Sequence, residues 1–231
     1  MPAARLLRIL TRLNDAQGAR PAPARLCVGC ADIMEMTGAG IMLMSGDVPR
    51  GSVCSSNSVS ALIEDLQYTL GEGPCVEAYE QDEPVAEPDL AGAGGRRWVA
   101  FSAPAVSAGA LAVFGFPMRV GAIRMGALNL YRDRPGPLDD EQHADGLVLA
   151  GLAARSTLAL QADALPGMLG LQLEAGSDFR FLVHQASGMV SAQLDVTVGE
   201  ALIRMRAFAF AHDRPLLTVA GEVVTRRLRF S

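Results

Sequence analysis

Lysine is absent: all 20 basic residues of this 231-residue chain are arginine. That removes the lysine of a phosphate-cradling glycine-rich loop. It also removes the lysine that partners a phosphoacceptor aspartate in receiver-type switches. Histidine is scarce too, with 3 scattered residues and no nucleophile elbow beside them. The acidic pair Asp139-Asp140 falls at a predicted helix start, where the helix dipole already accounts for it. The expectation is therefore a protein that is not an enzyme, with no catalytic residues. No apolar run reaches the ~18 residues that a membrane span needs, so no membrane role is expected. The 4 cysteines, Cys27, Cys30, Cys54 and Cys75, are too few for a disulfide scaffold, and a reducing cytoplasm is the expected location. Cys27 and Cys30 have the spacing of a redox or zinc pair. A second pair to complete four ligands is missing, so both read as small core residues on one helical face, with no metal.

What is present is apolar material and unevenly placed charge. Half of the residues are hydrophobic, enough to bury a core in one or two domains. Residues 1–175 hold 13 arginines and 20 acids, a balance of −7. Residues 176–231 hold 7 arginines and 5 acids, a balance of +2, which together make the net −5. An acidic protein can bind nucleic acid through such a local basic face. Guanidinium forks suit phosphates and guanine edges and stack on bases. A GC-rich coding bias would give the same arginine-only usage, and both explanations stand.

Taken in order, Met1 to Leu13 alternates arginine with leucine and isoleucine and reads as an amphipathic helix on the body or on a partner subunit. Helices are expected over 25–36, 60–70, 75–80, 103–108 and 138–164. Strands are expected at 41–44, 51–55 and 84–87. Residues 112–120 and 122–131 read as an antiparallel hairpin around Gly121. Helices flanking an antiparallel sheet make an α+β domain. Its order of motifs resembles a GAF domain: Thr37-Gly-Ala-Gly-Ile-Met-Leu-Met44, Leu70-Gly-Glu-Gly-Pro-Cys75, and Gly126-Ala-Leu-Asn-Leu-Tyr131 before an acidic helix start. That resemblance implies a sensor of a small molecule or partner, its pocket lying between the sheet and the glycine-rich tract around Trp98. The Asn-Lys signature of cyclic-nucleotide GAF domains is absent. No cofactor is implied beyond an unidentified small-molecule ligand. His143 reads as a solvent-facing or capping residue rather than a haem ligand.

The last stretch has three apolar stripes at helical spacing, beginning near Phe179, Val198 and Leu216. Ser177 can cap the first, Thr197-Val-Gly-Glu200 is a capping box for the second, and Pro215 suits the start of the third. Val183-His-Gln-Ala186-Ser-Gly188-Met189, then Glu200-Ala201, Arg206, Ala209 and Val219-Ala220, resembles an ANTAR domain, the three-helix RNA-binding module of bacterial antiterminators. Arg180 falls at that family's leading arginine. Ser187 stands where the family usually carries lysine. The implied fold is thus α+β: an antiparallel-sheet GAF-like domain followed by a C-terminal three-helix ANTAR-like domain. The boundaries are 1–21 for the N-terminal helix, 22–165 for the sensor and 177–231 for the RNA-binding domain.

RNA would meet the polar helix faces: Arg180, His184, Gln185, Ala186, Ser187, Gly188 and Ser191 on the first helix, Arg204 or Arg206 on the second, which stand about 200° apart with Arg206 carrying the family match, and Arg226 and Arg227 at the end of the third. Glycine inside a helix costs about 1 kcal/mol against alanine, and close approach of a base or another helix would account for Gly188. Phe208 and Phe230 read as core. The implied partners are RNA stem-loops, a second copy of the chain, and an upstream signalling partner; the helix carrying Leu147, Val148, Leu149, Leu152, Leu158 and Leu160 could serve as the dimer seam or equally be plain core. Duplex DNA binding in the manner of a helix-turn-helix, and a protein-interaction module without nucleic acid, remain open.

Overall fold

Alternation of side chains on either side of Gly121 produces the central hairpin, β4 (Ala112–Val120) and β5 (Ile123–Arg132). Gly121 has φ 61°, the left-handed value that a two-residue hairpin turn needs and that a residue without Cβ adopts freely. β1 (Gly38–Ser45) pairs with β5, β2 (Val48–Ser55) with β1, and β3 (Val85–Glu87) with β4. The result is a five-stranded antiparallel sheet of order β2-β1-β5-β4-β3. The computed structural model describes residues 2–15, 22–45, 48–92, 97–163, 178–212 and 214–231. The chain divides into two units, Met1–Asp163 with the sheet and Ala164–Ser231. Among the described residues no helix is long and apolar enough to cross a membrane.

One face of the sheet is apolar except for Arg132, whose guanidinium lies over the Phe114 ring and donates to Gln142 Oε1 at 2.7 Å. Ile41, Phe114, Phe116, Met118, Leu128 and Leu130 meet Ile9 of α1 (Pro2–Asp15), Cys27, Cys30 and Met34 of α2 (Ala22–Met34), and Leu149 and Ala153 of α6 (Asp140–Asp163). Each large side chain buried here contributes about 1.5–3 kcal/mol. The N-terminal helix belongs to this body. Ile9 anchors it, and Arg5 and Arg8 both reach the buried Asp145 carboxylate of α6, at 2.9 and 2.7 Å.

The pair of reduced cysteines expected on α2 does not form. Cys27 is disulfide-bonded to Cys54 of β2, with Cα atoms 6.0 Å apart, and only Cys30 remains a buried thiol there. Cys27 faces the outermost strand of the sheet, an approach that the spacing of Cys27 and Cys30 does not encode. On α6, Leu149 is core, Val148 and Leu152 are half-buried, Leu147 and Leu158 are exposed, and the side chain of Leu160 lies outside the described residues.

The opposite face is covered by α3 (Ser58–Leu70) and α4 (Pro74–Gln81), and α5 (Val99–Ser107) packs against α3.

In the second unit α7 (Asp178–Leu194), α8 (Val198–Ala211) and α9 (Leu216–Val224) share one core of Val183, Ala186 and Val190, then Ala201, Leu202, Met205 and Ala209, then Leu216, Val219, Ala220 and Val223. Ser177 lies outside the described residues. The capping box forms by half. Thr197 Oγ1 accepts the Glu200 N–H at 3.2 Å, but the Glu200 carboxylate turns to Arg204 at 2.6 Å. The arginines expected to end α9 lie beyond it. Arg226 has φ 59°, its N–H reaches Val223 O at 2.9 Å, and the Arg227 N–H reaches Glu222 O at 2.7 Å, the two bonds of a Schellman cap.

Candidate functional site

Asn129 of β5 stands in the sheet between two glycines, paired with Gly40 on β1 and Gly115 on β4. The missing side chains let the covering helices descend. A Cβ on Gly40 would lie 2.5 Å from Glu64 Oε1, and one on Gly115 would strike the backbone oxygen of Pro74. Glu64 of α3 is therefore wholly buried, directly over the sheet, and Asn129 Nδ2 donates to its Oε1 at 2.9 Å. Gln67 and Tyr68 of the same helix and Ser102 of α5 are buried as well. Ser102 Oγ and Asn129 Oδ1 have no hydrogen-bond partner among the described residues. Buried polar atoms ordinarily find one, so these two are exceptions in the layer that covers the sheet.

The segment Leu70-Gly-Glu-Gly-Pro-Cys75 ties α3, α4 and α5 together. Gly71, at φ 69°, ends α3 with its N–H on Gln67 O. Glu72 Oε1 accepts the N–H groups of Ala100 and Phe101 at 2.6 and 2.8 Å, so a carboxylate caps the N-terminus of α5. Gly73, at φ 128°, precedes Pro74, the first residue of α4, and the Cys75 N–H donates to Gln67 Oε1 at 2.7 Å. Glu77 accepts both forks of Arg97 at 3.0 and 2.6 Å and the Trp98 indole N–H at 2.9 Å. The Arg97 hydrogen bonds hold the Glu77 carboxyl below its ordinary range. Trp98 is thus packed against Phe101 and pinned at the start of α5. Residues 93–96 of the glycine-rich tract lie outside the described residues.

Neither free thiol is set up as a nucleophile. Burial pushes Cys30 up to about 12, and burial, with the nearby Glu64 charge, pushes Cys75 well above its usual value. Among the described residues no group of three or more His, Cys, Asp or Glu could hold a metal ion. His143 is exposed, tilted against Phe116.

The second unit sorts its expected site residues into presented and hidden. Gln185 and Gly188 are exposed on α7, and a Cβ on Gly188 would meet nothing within 4 Å. His184 and Ser191 are half-buried, and the Ser191 hydroxyl closes the α7–α8 turn on Val196 O at 2.6 Å. Ala186 and Ser187 are corrected: both are fully buried, so neither faces a ligand. The Ser187 hydroxyl donates to His184 O at 2.9 Å, which satisfies it inside the helix. Ser187 lies four residues after Val183 and three before Val190, the core spacing itself, which its polarity masks. Arg180 is in the first turn of α7, and its side chain lies outside the described residues. Arg204 is exposed and ion-paired with Glu200, Arg206 is half-buried, and Arg226 and Arg227 are exposed.

The chain matches no protein-family model and no curated protein. Among solved structures it is similar to the GAF domain of an Acinetobacter phosphoenolpyruvate-protein phosphotransferase, at 15% identity over 71% of this chain and 97% of that one, with a TM-score of 0.50. It is similar to the corresponding GAF domain from Coxiella burnetii at 15% identity over 70% and 98%, with a TM-score of 0.50. At this identity the likeness extends to the fold of the sheet unit alone.

Proposed function

We propose that this protein, whose sheet unit has the fold of GAF domains, is a non-catalytic regulator that couples a sensed signal to RNA binding by its three-helix unit. The RNA would be stem-loops of a leader transcript, bound so that a terminator hairpin does not form. The observation that carries this is the surface over Gly188. Among the described residues nothing lies within 4 Å of a Cβ built on that glycine, so no packing described there accounts for its cost in α7. Close approach of a base or phosphate explains it. Arg180, His184, Gln185 and Ser191 share that helix, Arg204 and Arg206 lie on the next, and the excess of arginine over acids in residues 176–231 supplies the attraction. Ser187 and Ala186 support the core instead of touching RNA.

The signal would enter over Asn129 and Ser102, as a small molecule that donates hydrogen bonds, or through a partner on α3 to α5. Two copies of the chain would meet along α6 at Leu147 and Leu158. The test is capture of a pool of small RNA hairpins at two salt concentrations, beside an Arg180→Ala/Arg206→Ala variant checked for folding. Capture that the variant loses supports the reading. Equal displacement by excess duplex DNA would assign the unit to DNA instead. A second reading has its own observation. Ile203 and Phe210, 58% and 73% exposed, lie with Ala207 on one side of α8, an apolar stripe suited to a protein partner. Partners retained from RNase-treated lysate and lost on Phe210→Ser would favour it.

A further inference from the structure

The core of the three-helix unit is complete without Phe208 and Phe230, and both are half-exposed rather than buried as their spacing suggests. The exposed imidazole of His212 lies against the Phe208 ring, centroids 4.0 Å apart and planes 24° from parallel. Phe230 meets the Phe208 ring edge-on at 5.3 Å. The rings are held from the backbone. The His212 N–H donates to Phe208 O at 3.1 Å, and His212 Nδ1 lies 2.8 Å from that oxygen. The Phe230 N–H donates to Gln193 Oε1 of α7 at 2.9 Å. Three aromatic rings are thus pre-ordered at the surface, so little freedom is lost when a flat ligand docks.

Charge stands around them. Arg204 lies one turn before Phe208 on the same side of α8, in an exposed pair with Glu200 that a phosphate can displace. Arg227 and Arg229 are exposed and precede Phe230. A flat π surface among guanidinium groups suits an unpaired base and its phosphates, since every base has a face to stack and every linkage a charge. Duplex nucleic acid hides its base faces, and an apolar peptide has no use for the cations.

We propose that Phe208, His212 and Phe230 form a base-stacking platform for one unpaired nucleobase of an RNA loop, with Arg204, Arg227 and Arg229 placed for the adjoining phosphates. This rests on the RNA-binding reading above. The test uses the full chain and two hairpin pools with the same stem, one with a short randomised loop and one with an abasic loop of equal length and charge. Wild-type protein is expected to bind the base-containing loops about tenfold more tightly than the abasic ones. His212→Ala and Phe208→Leu, each checked for an unchanged circular-dichroism spectrum, should remove most of that preference. Affinity for abasic loops and the salt slope should stay as in wild type, since no phosphate contact is lost. Hairpin binding with no preference for bases, or a preference that both variants keep, overturns the platform and leaves RNA binding intact. No binding to either pool overturns both. A variant that changes the oligomeric mass and not RNA affinity assigns the rings to a second copy of the chain, and also overturns the proposal.

Discussion

Leu128 and Asn129 are adjacent in β5 and point to opposite faces of one sheet. Leu128 enters a core of aliphatic, aromatic and sulfur side chains beneath α1, α2 and α6. Asn129 enters a layer where Glu64 accepts its hydrogen bond and Gln67, Tyr68 and Ser102 are also buried. The first face is held by removal of apolar area from water, which tolerates variation in shape. The second is held by specific hydrogen bonds over two glycines, and every polar atom there needs a partner. A face built in the second way is the costlier one to maintain.

The comparison can be broken by exchanging the two chemistries. Leu128→Ala should destabilise the sheet unit by about 2–5 kcal/mol through lost burial and a cavity. Asn129→Leu should cost about 1–3 kcal/mol in spite of the added apolar surface, because Glu64 Oε1 loses its donor in a dry site. Urea unfolding followed by Trp98, the single tryptophan of the chain, reads this unit. An Asn129→Leu protein more stable than wild type would show that the polar face is held by packing after all.

Glu77, at the rim of the polar face, sharpens the comparison with pH. Its lowered folded-state value means that its contribution is present above the ordinary carboxylate range and is lost as pH falls through the folded value. Glu77→Gln should therefore cost about 1 kcal/mol at neutral pH, and the gap in urea midpoint from wild type should close in acid. A gap that persists in acid would assign the loss to shape and not to charge.

The smallest effect lies in the second unit. Arg226 adopts a left-handed conformation in a cap that glycine fills most easily. Arg226→Gly should stabilise the three-helix unit by about 1 kcal/mol, seen as slower amide exchange in α9. Combined with hairpin capture, the same variant separates a capping role from an RNA contact, since stability would rise while affinity falls.

Much of this was legible in local pattern. The hairpin around Gly121, the alternation of Leu128 and Asn129, and the three C-terminal helices follow from periods of two and 3.6 that act between near neighbours. Ser187 shows the limit. Its spacing from Val183 and Val190 places it in the core, and only its polarity argues otherwise, until the hydroxyl is seen bonded to His184 O. Phe208 and Phe230 err in the other direction. Their hydrophobicity suggests burial, but a small bundle fills its core with Val183, Met205 and Val219 and leaves two rings half outside.

The sequence by itself determined the elements and their order, the basic balance of the last quarter and the absence of lysine chemistry, because each is a property of composition or of residues a few positions apart. Only the tertiary structure decided which distant groups meet. It joined Cys27 to Cys54, laid Glu64 over Gly40 beside Asn129, and brought the tail at Phe230 against Phe208. Those approaches depend on how closely helices settle on a sheet or on one another, which is set by the volume of every side chain between them and by no single stretch of chain.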